Sequence, residues 1–146
     1  NRTSYVQAQS VILFFIMSEV EELASKNIKD FLQLEKQVVL IDVRTEEEWN
    51  NIGMPDGEAL NVPTYFLSYQ VGEHRILNEN FEQEFLNLQI DKNKKILCIC
   101  RSGARSLHAA NIFNNHGYTA INISDGFEGS SVINEPGWKK IGLPCK

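Results

Sequence analysis

Long runs of one charge are missing from this chain, and so are paired cysteines. Its 14 lysines and arginines are scattered among 19 aspartates and glutamates, for a net charge of −5. That excludes the broad basic face of a nucleic-acid binder and leaves room only for a local basic pocket. Cysteine occurs three times, at 98, 100 and 145. These spacings form neither a C-x-x-C pair nor a zinc ligand set, so free thiols in a reducing, cytoplasmic compartment are expected, with no metal and no cofactor. The longest apolar run, Val11 to Met17, has seven residues, far from the roughly 20 that span a bilayer, and no membrane partner is expected. Only Arg2 is basic ahead of that run and no small-residue cleavage site follows, which argues against a secretory signal. The four prolines and nine glycines are dispersed, and no linker, repeat or low-complexity tract divides the chain.

What is present is the composition of a folded domain, 42% hydrophobic and 23% charged. Residues 1–17 are expected to be an N-terminal extension, non-native or disordered, and residues 18–146 one domain. Ser18 with Glu21 has capping-box spacing and predicts a short helix, followed by a helical face of Ile28, Phe31, Leu32 and Leu34. VVLIDV (38–43) is an apolar, β-branched run that predicts a strand covered on both faces. Thr45 with Glu48 is a second capping box, opening a helix that carries Trp49. ALNV (59–62) predicts a short strand closed by Pro63. Asn80 with Gln83 predicts a capped helix bearing Phe81, Phe85 and Leu88. KILCIC (95–100) predicts a second buried strand, Ala104–His116 a helix stopped by Gly117, and TAINIS (119–124) a further strand. Alternating strands and helices predict a parallel sheet with helices on both faces, and sites beyond the carboxyl ends of the strands. Three places satisfy that rule: Asp42 to Arg44, Cys100 to Arg105, and Ser124 to Gly126.

The stretch CRSGARS (100–106) carries the chemistry. Cys100 ends a strand, and the helix that starts near Ala104 aims its unpaired N–H groups back at the sulfur. Those amides, the helix dipole, Arg101 and Arg105 all favour a thiolate, which is the nucleophilic form of cysteine. Gly103 lets the backbone approach an anion closely, and Ser102 adds a hydroxyl donor. Cys98 lies inside its strand and reads as a small buried hydrophobe, and Cys145 near the chain end as inert. Arg44 and Glu48 are spaced as an ordinary i,i+4 surface pair, and Asp42 reads as a residue with a structural partner. His74, His108 and His116 complete no metal constellation; His108 reads as helix surface and His116 as a cation at a helix C-terminus. Trp49, Phe127 and Trp138 read as core or pocket wall.

With these residues in view, the chain resembles a single-domain rhodanese over Leu34 to Pro144. That family carries a C-R-x-G-x-R loop between a central strand and a helix, matched by CRSGAR at 100–105. Its Asp-Val-Arg signature with acidic and aromatic followers is met by DVRTEEEW (42–49). Its closing glycine-aromatic and Trp…Gly-x-Pro elements are met by GFEG (126–129) and WKKIGLP (138–144). The chain departs from the family at GMPDGE (53–58), where Met54 stands in place of a common histidine, although ALNVP follows intact. The resemblance implies an α/β fold with a central parallel sheet of about five strands and helices on both faces. It also implies sulfur transfer through a persulfide on Cys100. Arg101, Ser102, Gly103, Ala104 and Arg105 would bind substrate, with Asp42, Arg44 and Ser106 in support and Glu47 or Glu48 orienting Arg105. The partners implied are a small-molecule sulfur donor and acceptor, such as thiosulfate with cyanide or a thiol.

Two other readings bear on the same loop. Phosphatase and arsenate-reductase relatives place five residues between cysteine and arginine, whereas four separate Cys100 from Arg105, and Ser106 fills the position their arginine would hold. The second is a relay module that takes sulfur from a persulfide-delivering protein and passes it to a thiol-acceptor protein, a choice that fold resemblance does not make.

Overall fold

The computed structural model describes residues 20–146; the expected extension 1–17 and the Ser18 cap lie outside the described residues. Seven strands are seen, β1 (Glu21–Leu23), β2 (Val38–Asp42), β3 (Thr64–Phe66), β4 (Gln70–Val71), β5 (Ile76–Leu77), β6 (Lys95–Ile99) and β7 (Thr119–Ile123), with helices α1 (Ile28–Leu34), α2 (Glu46–Ile52), α3 (Phe81–Asn87) and α4 (Ala104–Asn115). Five strands form one parallel sheet in the order β1-β7-β6-β2-β3, and β4 and β5 form a separate antiparallel hairpin.

Strand alternation divides the core in two. Val39, Ile41, Ile96, Cys98, Cys100 and Ala120 face one cluster, shared with Phe81 and Phe85 of α3 and Ala109, Ala110 and Phe113 of α4. Val38, Leu40, Leu97, Ile99, Ile121 and Ile123 face the other, closed by Ile28 of α1 and by Phe127, Trp138 and Leu143 of the C-terminal segment. Successive strand residues point to opposite faces, so β2 and β6, at the middle of the sheet, need apolar residues throughout. Phe85 and Phe113 stack with ring centroids 4.0 Å apart and lock α3 to α4.

Three local expectations give way to longer-range pairing. Glu21 sits in β1, hydrogen-bonded along β7 with Glu21 opposite Ile121, and not in a helix; the helical path starts later, with a 3-10 turn at Ser25–Asn27 that runs into α1. Residues Gly57–Leu60 form a 3-10 turn capped by the Asp56 side chain on the Ala59 amide, so ALNV is not a strand. The strand begins beyond Pro63, whose carbonyl accepts from the Leu40 amide at 2.9 Å. Proline has no N–H to give a ladder, and it stands at the strand's entrance. At α3, Asn80 occupies the cap position without a side-chain cap bond. The Asn78 side chain accepts from the Asn80 amide at 3.0 Å, ahead of the helix, while Gln83 bonds Asn87.

The end of β7 is tied to the chain's two flanks by Asp125, buried at 1% exposure. Its carboxylate accepts from the Ser25 amide (2.9 Å), the Ser25 hydroxyl (2.8 Å) and the Gly137 amide (2.9 Å). Removing an acceptor from three buried donors leaves them unsatisfied. Asp125→Ala is expected to lower stability by about 3 kcal/mol in denaturant unfolding. A loss under about 0.5 kcal/mol would mean the clamp is not structural.

Candidate active site

Where β6 ends, the chain turns through Cys100 to Gly103 and enters α4. Two neighbours fix the turn. On one side Phe127 and Glu128 donate their amides to the carbonyls of Cys100 (2.8 Å) and Arg101 (2.9 Å). Gly126 makes that approach possible, since a Cβ there would stand 2.4 Å from the Arg101 carbonyl oxygen, and its φ is +63°. On the other side Gly103, at φ +106°, lies against Ser124, whose carbonyl oxygen a Cβ would meet at 2.4 Å. Both positions require glycine for space and for backbone conformation.

Within the turn the Gly103 amide donates to Cys100 Sγ at 3.1 Å, and the Ser106 Oγ lies 3.2 Å from the same sulfur. Cys100 is 1% exposed, so its thiol forms the floor of the loop, while Arg101, Ser102 and Ala104 are exposed above it. Cys98, two residues back on the same face, is fully buried. Burial, with Cys100 as a neighbour, pushes its thiol well above the ordinary range and keeps it neutral.

Arg105 reaches toward α2. Its Nη1 and Nη2 donate to Glu48 Oε1 at 2.7 Å and Oε2 at 2.9 Å, a bidentate pair between the first turns of two helices. Glu48 is held by its capping box with Thr45 as well. Arg75, from the turn of the β4–β5 hairpin, also reaches Glu48 Oε1 at 3.4 Å, a contact that no local pattern anticipates. Burial acts to raise the Glu48 carboxyl, but the Arg105 bonds and charge, the Thr45 amide and Arg75 outweigh it and hold the group at about 2. Burial likewise acts to lower the Arg105 guanidinium, and Glu48, Cys100 and Asp42 overcome it and raise it.

Arg44 corrects the surface-pair expectation. It is fully buried and bonds Asp42, with Nη2 to Oδ2 at 2.8 Å and Nε to both carboxylate oxygens at 3.1 Å. Its guanidinium lies 4.3 Å from the Phe127 ring centroid, and Nη2 also donates to the Gly53 carbonyl at 2.8 Å. A charge so buried requires an opposite one, which Asp42 supplies from two residues away to Nε and Nη2, while Nη1 has no hydrogen-bond partner. Through Gly53 this pair anchors the departing GMPDGE loop, which is zipped further to the chain end by Met54 and Lys146 exchanging amide bonds at 2.9 Å.

The cavity bordering the loop, about 220 Å³, is walled by Glu47, Glu48, Asn51, Ile52, Arg75, Arg101 and Glu128. A larger one of about 530 Å³ lies between α2 and the hairpin and includes none of residues 100–106, so the smaller is the one relevant to the thiol. Arg101, 61% exposed, pairs with Glu128 at 3.3 Å. Of the residues singled out in the sequence, Cys100, Gly103 and Ser106 are in mutual contact. Arg101 and Arg105 lie at the rim against carboxylates, and Asp42 and Arg44 form a buried strut. Asn122, 2% exposed, lies beneath Gly103 and Ser106 and is not among the residues the sequence singles out. A lone amide inside the apolar TAINIS strand was the signal available. Among the described residues no group of three or more His, Cys, Asp or Glu side chains could hold a metal ion, and no helix is long and apolar enough to cross a membrane.

The depressed Glu48 carboxyl sets a pH dependence. Its ordinary value is 4.5, so the ionised pair contributes stability above that pH and loses it as pH falls toward about 2. Glu48→Gln is expected to lower the melting temperature at pH 7, with the gap to the parent narrowing between pH 4.5 and 2 in circular-dichroism melts. A gap constant across that window would contradict the assignment.

Comparison with known proteins agrees with this geometry. The model of the rhodanese-like domain matches residues 25–131. Uncharacterized protein RP600 of Rickettsia prowazekii is 42% identical over 127 residues, covering 86% of this chain and 96% of that protein. The putative sulfurtransferase YtwF of Bacillus subtilis is 26% identical over 108 residues, covering 74% and 87%. Among solved structures, Rv0390 from M. tuberculosis superposes with a TM-score of 0.73 at 30% identity, covering 87% of this chain and 97% of that one. With a parallel five-stranded sheet presenting the CRSGAR turn at its carboxyl edge, the chain belongs to the rhodanese-like domain family and has sulfurtransferase relatives.

Proposed function

We propose that the protein is a thiosulfate sulfurtransferase that carries sulfur as a persulfide on Cys100. The Cys100 thiolate attacks the outer sulfur of a donor such as thiosulfate. A bond from Sγ to that sulfur forms, the donor's own S–S bond breaks, and its electron pair leaves with sulfite. An acceptor nucleophile, cyanide or a thiolate, then attacks the outer sulfur, and the Sγ–S bond breaks to return the thiolate. The observation that carries this reading is the Gly103 amide aimed at Cys100 Sγ at 3.1 Å from the opening of α4. Amides pointing toward the mouth of such a turn are suited to a transferred sulfur or a developing negative charge. Arg101, Ser102 and Ala104 line the entrance and Arg105 frames it, attracting the anionic end of the donor. Asp42, Arg44 and Ser106 hold the frame. The setting proposed is cytoplasmic, where free thiols persist, with no nucleic acid, membrane or cofactor involved.

A second reading has its own support. Arg101 and Arg105 already face Glu128 and Glu48, which leaves little net positive charge for a small free dianion. Sulfur delivered as the persulfide of a partner protein, and passed to a thiol-acceptor protein, would need less. Phosphate-ester chemistry is disfavoured by the four-residue spacing between Cys100 and Arg105.

Intact-protein mass spectrometry after mixing with thiosulfate tests the proposal. The expected result is a gain of one sulfur atom, lost on adding cyanide and absent in Cys100→Ser. A gain with a protein or thiol persulfide but not with thiosulfate would select the relay reading. No adduct with any donor, or turnover of a phosphoaryl ester instead, would overturn both.

A further inference from the structure

Asn122 lies on β7 directly behind the loop, and every polar atom of its side chain is engaged. Its Nδ2 donates to the Gly103 carbonyl at 3.0 Å and to Glu22 of β1 at 2.9 and 3.2 Å. Its Oδ1 stands 2.5 Å from the Ser106 hydroxyl. The amide's orientation follows from these neighbours. Turned over, Oδ1 would face a carbonyl and a carboxylate, neither of which has a proton to give. Oδ1 therefore accepts, and the single proton of Ser106 is committed to it. Toward Cys100, 3.2 Å away, Ser106 can then offer only a lone pair.

We propose that Asn122 is a positioning residue that makes Ser106 a hydrogen-bond acceptor toward Cys100, so that the hydroxyl stabilises the protonated sulfur while the Gly103 amide stabilises the ionised one. Swinging the Ser106 proton onto the thiolate would strand Asn122 Oδ1 without a donor in a buried site, a cost comparable to a lost hydrogen bond. Ser106 thus restrains the resting thiol, and Asn122 sets the strength of that restraint. The other ionisable groups around the sulfur leave this local choice unchanged. They are Arg101 with Glu128 beside the turn, Arg105 with Glu48 from α4 and α2, the Asp42–Arg44 pair at the end of β2, Cys98 on β6, and Glu22 behind Asn122; α3 contributes phenylalanines.

The inference rests on Cys100 being the nucleophile. Its test uses alkylation without any sulfur donor, so its failure and the failure of the sulfur-transfer reading are distinguishable. The rate of Cys100 alkylation by iodoacetamide at pH 7 is taken as the difference from Cys100→Ser. Ser106→Ala is expected to raise that rate by about threefold, because an unfavourable lone pair is removed. In an Asn122→Leu background, where the Ser106 proton is free to turn to the thiolate, the same Ser106→Ala change is expected to slow alkylation. A rate that falls or stays level on Ser106→Ala alone overturns the proposal. So does an effect of the same sign in both backgrounds, which a merely structural Asn122 would give. If Asn122→Leu fails to fold, the sign of the Ser106→Ala effect in the parent chain decides the matter.

Discussion

The bidentate pairing of Arg105 with Glu48 is the constraint on which the rest of the site depends. It joins the first turn of α4, which follows β6, to the first turn of α2, which follows β2. Those two strands are neighbours in the sheet, so the pair closes a short bridge across their carboxyl ends. With Arg105 held against Glu48, the start of α4 beside the turn from Cys100 to Gly103 is fixed to α2. The pair is largely shielded, with side chains 12% and 6% exposed, and it is satisfied on both sides, the condition under which a desolvated ion pair keeps its geometry.

The remaining anchors act on the turn from other directions. Gly126 to Glu128 pin its carbonyls, Asn122 and Ser106 hold it from β7 and α4, and Asp125 ties the segment after β7 to both Ser25 and Gly137. Asn122, Ser106 and Asp125 are buried polar side chains with their partners present. Networks of this kind restrict a site to one arrangement more than they add stability. Under the proposed sulfur transfer the Gly103 amide would need little rearrangement as charge develops at the sulfur, which is the preorganisation that electrostatic stabilisation of a transition state requires.

What could be read in the sequence was what is encoded locally. VVLIDV and KILCIC are legible because a central strand needs apolar residues on both faces, and CRSGAR because turn, nucleophile and helix start are contiguous. The Thr45–Glu48 capping box is likewise local, and it forms. The misreadings involve partners distant in the chain. Glu21 looked helical because of its spacing from Ser18, yet its backbone pairs with a strand a hundred residues onward. ALNV looked like a strand, but Asp56 draws the amide of Ala59 into a turn and the strand waits for Thr64. Arg44 and Glu48 stand four apart on paper. Burial gives the first to Asp42 and the second to Arg105, 57 residues away. Arg75 reaches the site from a hairpin whose position no local pattern specifies.

The central claim is that the turn whose Gly103 amide bonds Cys100 Sγ receives the transferred sulfur. A crystal structure of the protein soaked with thiosulfate tests this most directly. The account predicts an added sulfur bonded to Cys100 Sγ and within hydrogen-bonding reach of the amides of residues 101–105. An unmodified Cys100 beside sulfur bound elsewhere, such as on the exposed Cys145, would contradict it.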